Sequence, residues 1–254
     1  GRKIYDDWCG LLAAALLAVS VQFIQQAHFG TFDSLLAASV SLALWMLILY
    51  IEYGKPKHLY FTGICIGISV GVKATAILLI IPAIVGVICS QRLWSFDRQG
   101  GIWRNIFVYW LIPIGYSVIA FGISSPYAII EWQKYVDNIV LQSYMVRGLL
   151  EWPFLLQYRG TTPYIYQIIE QGQWTLGWPL TIVIYCGSVF AAIKVLVELR
   201  SRLLNRREAQ KLAIVIWALS YFVLVGGLYV KYPRYMLPVL PLQILCGASL
   251  LVWI

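Results

Sequence analysis

The cationic residues of this chain crowd into alternate gaps between apolar runs, and those runs repeat from Leu11 to Ile254. With 61% hydrophobic residues over 254 positions and a mean hydropathy of +0.77, a water-soluble fold would have to enclose more apolar surface than a domain of this size can bury. Lipid is therefore the solvent. Each crossing segment must then satisfy its own backbone hydrogen bonds, so the expected fold class is all-α, a polytopic transmembrane helical bundle.

Apolar windows at about 9–27, 34–51, 59–72, 75–90, 105–123, 178–197, 212–230 and 235–254 predict about eight membrane segments. At about 1.5 Å per residue the third reaches only some 21 Å, short of a ~30 Å hydrocarbon core. Lys73, which follows it, is expected below the membrane surface, inside the protein or in a polar cavity. Residues 124–177 form the long extramembrane segment and divide the chain into N-terminal transmembrane helices (1–123), this loop, and C-terminal transmembrane helices (178–254).

Of the 19 Lys and Arg residues, 13 fall in alternate gaps: Arg2, Lys3, Lys55, Lys57, Arg92, Arg98, Arg104, Lys194, Arg200, Arg202, Arg206, Arg207 and Lys211. The positive-inside bias makes that side cytoplasmic, so Arg206 and Arg207 are expected inside, and Glu151 and Gln171 outside. Cytoplasmic loops beside anionic lipid account for the net charge of +8, and no basic stripe interleaved with aromatics suggests nucleic acid. Lys73, Lys134, Arg147, Arg159, Lys231 and Arg234 stand on the other side against the bias, and each calls for a reason.

Within the loop, Ile129, Trp132, Val136, Ile139 and Val140 lie on one helical face against Glu131, Lys134, Asp137 and Asn138. This spacing predicts an amphipathic helix over 129–145 lying in the interface. Thr162-Pro163 predicts an N-cap and an N1 proline for a second short helix beginning at Tyr164. The five cysteines are scattered singly, without metal-ligand spacing, and read as buried free thiols.

His28 and Asp33 share the first outward turn, where they could bind a metal or orient a hydroxyl; alternatively, Asp33 caps the helix that begins at Ser34. The stripe Gly63-x-x-x-Gly67-x-x-x-Gly71 predicts close helix packing. Lys73 beyond it needs a partner such as a phosphate or Asp33. Lys231 and Arg234 in Lys231-Tyr232-Pro233-Arg234-Tyr235 either snorkel to the interface or bind an anion. Arg159, in a turn before a helix N-terminus, suits an anion as well. Convergence of these cations on a phosphate would explain why they violate the charge bias. No GxSxG, Walker A or HExxH pattern occurs.

His28-Phe29-Gly30-Thr31-Phe32-Asp33, Gly71-Val72-Lys73-Ala74-Thr75 and Arg234-Tyr235-Met236-Leu237-Pro238 recur in an order that resembles the GT-C superfamily of polyprenyl-phosphate-sugar-dependent glycosyltransferases. The bacterial relatives of dolichyl-phosphate-mannose–protein mannosyltransferases are the nearest branch. The run Gln157–Tyr166 and Gly177-Trp178-Pro179 look similar as well, so the resemblance covers most of the chain from Gly10 onward.

The resemblance implies inverting sugar transfer at the non-cytoplasmic face of a bacterial plasma membrane. The donor would be a polyprenyl-phosphate-linked sugar and the acceptor a glycolipid, glycan or protein. The general base of such enzymes is an acidic residue in the first outward loop. That loop would precede Gly1, so the chain reads as an internal fragment, with Asp33 in a supporting catalytic role. His28, Lys73, Arg159, Lys231 and Arg234 are then the expected substrate-binding residues. No cofactor is implied with certainty, and a divalent metal is left open. The competing reading is a secondary transporter for an anionic substrate, although no inverted repeat is visible.

Overall fold

The structure, a computed structural model, describes residues 1–94, 102–150, 152–200 and 205–254. Arg98, Glu151 and Arg202 lie outside the described residues. Among the described residues the chain is helical and contains no strand. In chain order the helices are α1 (Asp7–Ala18), α2 (Val21–His28), α3 (Phe32–Tyr53), α4 (Pro56–Val72), α5 (Ile80–Trp94), α6 (Ile102–Ser124), α7 (Tyr127–Ile130), α8 (Trp132–Val146), α9 (Ile165–Glu170), α10 (Trp178–Arg200), α11 (Arg206–Gly226) and α12 (Leu240–Trp253).

Every apolar window is helical, but fewer helices than the expected eight can cross a membrane unaided. Among the described residues five stretches are long and apolar enough: Phe32–Tyr53, Ala74–Trp94, Ile106–Ser124, Trp178–Arg200 and Arg206–Gly226. α1 and α2, bent by 52° at their junction, make a sixth if they are taken together. The other two fall short for local reasons. α4 starts at Pro56 and stops at Lys73, whose backbone is extended (φ −157°, ψ 125°). At the C-terminal end, the tight helical turn Pro233–Met236 takes up the first residues of the predicted window, so α12 does not begin until Leu240.

α3 and α11 are the inner helices. Leu36, Val40, Leu44, Leu47 and Ile51 of α3 are buried with Ala213, Trp217 and Tyr221 of α11. α6 and α10 are the outer ones: only 11% and 28% of their apolar windows are buried, leaving Leu111, Val118, Ile123, Ile182, Val189 and Ile193 exposed. A bundle whose outer helices present apolar side chains outward suits lipid rather than water, and the chain is an integral membrane protein. The glycine stripe does what its spacing predicts. A Cβ on Gly63 or Gly67 would collide with backbone of α6 at Pro113 or Ser117, so α4 and α6 approach at backbone contact. Cys9, Cys65, Cys89 and Cys246 are buried as expected, but Cys186 is exposed.

The segment after α6 is mostly helical. The predicted amphipathic helix is present in two pieces, since Glu131 (φ −111°, ψ 46°) breaks it between α7 and α8. The second short helix starts later than Thr162-Pro163 predicts, at Ile165. Tyr164 adopts φ 64°, ψ −53°, and the Ile165 amide donates to Pro163 O at 2.7 Å, closing a γ-turn that keeps Pro163 out of the helix. The Tyr164 amide donates to Gly226 O, while its hydroxyl donates to Val223 O. Tertiary bonds to the end of α11 thus override the local start signal.

Candidate functional site

α3 and α4 run antiparallel, so the start of α3 and the end of α4 share one end of the bundle. There Lys73 Nζ donates to Asp33 Oδ1 at 2.8 Å, and Arg234 Nε lies 3.7 Å from Oδ2 of the same carboxylate. Forty and about two hundred residues apart in sequence, the three form one ion-pair cluster. Asp33 is buried, Lys73 is partly so, and the Arg234 side chain is 46% exposed. Asp33 does not cap α3: Thr31 occupies the N-cap position, and the Asp33 carboxylate faces the two cations instead. Its place in the first turn of a 22-residue helix also favours its negative charge.

Aromatic rings frame the cations. Lys73 Nζ sits 4.0 Å from the Tyr235 ring centroid and the Arg234 guanidinium 4.8 Å from that of Tyr232. Tyr232 packs edge-on against both Tyr235 and Tyr158. Buried Met145, Leu155, Tyr158 and Val230 form the core of this patch, and burial pushes the Tyr158 hydroxyl above the ordinary tyrosine pKa. The Tyr229 and Val230 amides both donate to Val146 O, at 3.0 and 3.2 Å, tying the end of α8 to the turn that carries Arg234.

Beside Lys73 opens a cavity of ≈ 470 Å³, between the corner 70–75, α8 and the end of α11. Its polar lining is Lys73, Thr75, Gln142, Ser143 and Arg147, with Tyr135, Tyr221 and Tyr235. Val70, Ile139, Leu224 and Leu228 supply apolar wall. Of the ion-pair cluster, Lys73 alone lines this cavity and joins it to Asp33 and Arg234. Sequence reasoning counted Arg147 among the cations that defy the charge bias but did not place it in the site. Only the fold brings the polar edge of α8 over Lys73.

The other predicted residues stand apart. Lys231 is 1% exposed, and its ammonium donates to Thr161 Oγ1 (2.9 Å) and Tyr229 O (3.0 Å). Burial pushes its pKa below the usual lysine value. Arg159 is exposed after the helical turn Pro153–Tyr158, and among the described residues its guanidinium has no partner. His28 is exposed, with its ring edge-on to Phe29. Among the described residues Asp33 is engaged by Lys73 and Arg234 and makes no contact with His28. Among the described residues no group of three or more His, Cys, Asp or Glu is placed to hold a metal ion.

Two comparisons, with curated proteins and with solved structures, give no significant match. Residues 1–114 match the family model described as dolichyl-phosphate-mannose-protein mannosyltransferase. The matched stretch contains the Asp33 and Lys73 motifs but ends before the Arg234 turn, so it is shorter than the resemblance drawn from the sequence. Together with the apolar bundle, it supports a membrane glycosyltransferase of the mannosyltransferase type. Over residues 1–114 the chain is thus similar to a GT-C-like mannosyltransferase-type family, which its Asp33 and Lys73 motifs already resembled.

Proposed function

We propose that the protein transfers a sugar from a polyprenyl-phosphate donor to an acceptor at the non-cytoplasmic face of the membrane, and that Lys73 and Arg234 hold the donor phosphate. The observation that carries this reading is the cluster itself. Two cations share a single carboxylate, which leaves one positive charge uncancelled at the mouth of a largely apolar cavity. A phosphodiester anion supplies the missing charge, and the apolar wall suits the first isoprene units. As the sugar leaves, charge builds on the phosphate, and fixed cations then stabilise the transition state more than the ground state.

Asp33 acts in support. It neutralises the cations while the site is empty and keeps Lys73 from turning toward lipid. Arg147 completes the phosphate site from α8, and segment 124–177 serves as a cap over it. Lys231 acts indirectly, by bracing that cap through Thr161. Arg159, exposed and without a partner among the described residues, would make only an outlying contact.

The test is transfer by the full-length protein in lipid, given a panel of radiolabelled polyprenyl-phosphate sugars. Loss of a cation that faces developing phosphate charge costs about 2.7–4 kcal/mol of barrier, so Arg234→Ala should slow transfer by about a hundredfold or more. Arg159→Ala should cost less than tenfold, as for a surface cation worth about 1 kcal/mol or less. Near-normal turnover and unchanged donor affinity in Arg234→Ala would remove Arg234 from the phosphate site.

A further inference from the structure

The opposite end of the bundle carries a second cavity, of ≈ 460 Å³, between residues 4–6, α10, the start of α11 and the end of α12. Its lining includes three cations, Lys194, Arg207 and Lys211, and two carboxylates, Asp6 and Glu208. Their charges leave one net positive charge. The partners are unevenly shared. Lys211 is held by Glu208 Oε1 at 2.7 Å, and Asp6 caps α1 by accepting from the Cys9 amide at 2.8 Å. Among the described residues Lys194 has only ring contacts, 4.6 Å from the Phe190 centroid and 5.0 Å from that of Trp253. Arg207 has no partner among the described residues.

Two features of this cavity ask for a ligand. Arg206 and Arg207 open the 21-residue helix α11, where the helix dipole disfavours a cation. Arg206 is accounted for by stacking 4.1 Å from the Trp94 ring centroid, but Arg207 faces the cavity with nothing to balance it. Independently, Glu208 is 92% buried, and its Oε2 has no hydrogen-bond partner among the described residues. A buried carboxylate oxygen left unmet is costly unless a donor reaches it. The site thus lacks both an anion and a hydroxyl donor.

We propose that this cavity binds the headgroup of an anionic glycerophospholipid that carries free hydroxyls, of the phosphatidylglycerol type. Its phosphodiester lies between Lys194 and Arg207 over the first turn of α11, and a glycerol O–H donates to Glu208 Oε2. One phosphodiester cancels the net charge of the lining. A choline headgroup adds a cation and offers no donor, so it satisfies neither need. The rings of Phe190 and Trp253 mark the edge at which the acyl chains leave the pocket.

The experiment uses delipidated full-length protein in a neutral detergent, with bound lipid counted by native mass spectrometry and affinity measured by titration. Phosphatidylglycerol should bind at this site, and phosphatidylcholine should bind at least about tenfold more weakly. The double variant Lys194→Gln/Arg207→Gln should lose about tenfold or more in phosphatidylglycerol affinity, since both charge-assisted contacts go. Arg206→Gln, beside the cavity, and Arg234→Gln, at the other end of the bundle, should leave it within about twofold. Equal binding of the two lipids, or an unaffected double variant, would overturn the proposal. So would displacement of the lipid by an equal concentration of inorganic phosphate, which would make this a soluble-anion site.

Discussion

Asp33 is one carboxylate answering to two cations, and that imbalance makes its substitution informative. Lys73 is only 29% exposed at its side chain and Asp33 10%, so removing Asp33 strands the Lys73 ammonium where water is scarce, and removing Lys73 leaves Asp33 only its longer pair with Arg234. Breaking a buried pair costs about 3–5 kcal/mol, whereas replacing both members by apolar or neutral groups of similar size is nearly neutral. Asp33→Asn or Lys73→Met alone should therefore lower thermal stability markedly. The double variant should regain most of that loss while remaining inactive. Unfolding midpoints in one detergent, read beside transfer assays, check this; equal stability of all three variants and the parent would show that the pair bears no load. The sequence marked Asp33, Lys73 and Arg234 as residues needing partners, because charge near membrane depth is costly. It offered Asp33 or a phosphate as the partner of Lys73, but could not show that Arg234 would join the same carboxylate, nor that Lys231 would spend its donors on Thr161 and Tyr229.

At the scale of elements, local pattern and tertiary context divide the explanation. The glycine stripe of α4 was legible because a small residue every fourth position has one obvious use between helices. The start of α9 was not, because the γ-turn at Tyr164 is set by bonds to the end of α11, far along the chain. Two glycine substitutions test the packing account. Gly67→Ala places a methyl against backbone of α6 and should destabilise the protein by about 1–3 kcal/mol. Gly115→Ala, on α6 with nothing within 4 Å of the added carbon, should be neutral or stabilise by up to about 1 kcal/mol. Similar melting temperatures for the two variants would mean that the α4–α6 seam is looser than the structure has it.

For the whole molecule, hydropathy located the helices of the apolar windows and showed that the one before Lys73 is too short to cross alone, but not that the proline turn before α12 shortens the last. The helix directions put Arg207 and the Lys73 site at opposite ends of the bundle. Cysteines introduced at Arg207 and at exposed Gln133 on α8 should accordingly label from opposite sides in sealed vesicles, with Arg207 reached from the cytoplasm. Labelling of both from one side would refute the orientation. The uncancelled charge beside Asp33 also bears on turnover. A sugar-bearing phosphodiester has one negative charge, but the spent carrier is a monoester with nearly two, by the ionisation common to phosphate monoesters. With Lys73, Arg234 and Arg147 set against Asp33, the pocket is short of two negative charges, so it grips the departing carrier more firmly than the arriving one. If the donor reading holds, release of the empty lipid phosphate sets the pace of the cycle. Added carrier should then inhibit at concentrations below the KM for donor, and weaker inhibition than that would place the slow step in the sugar transfer itself.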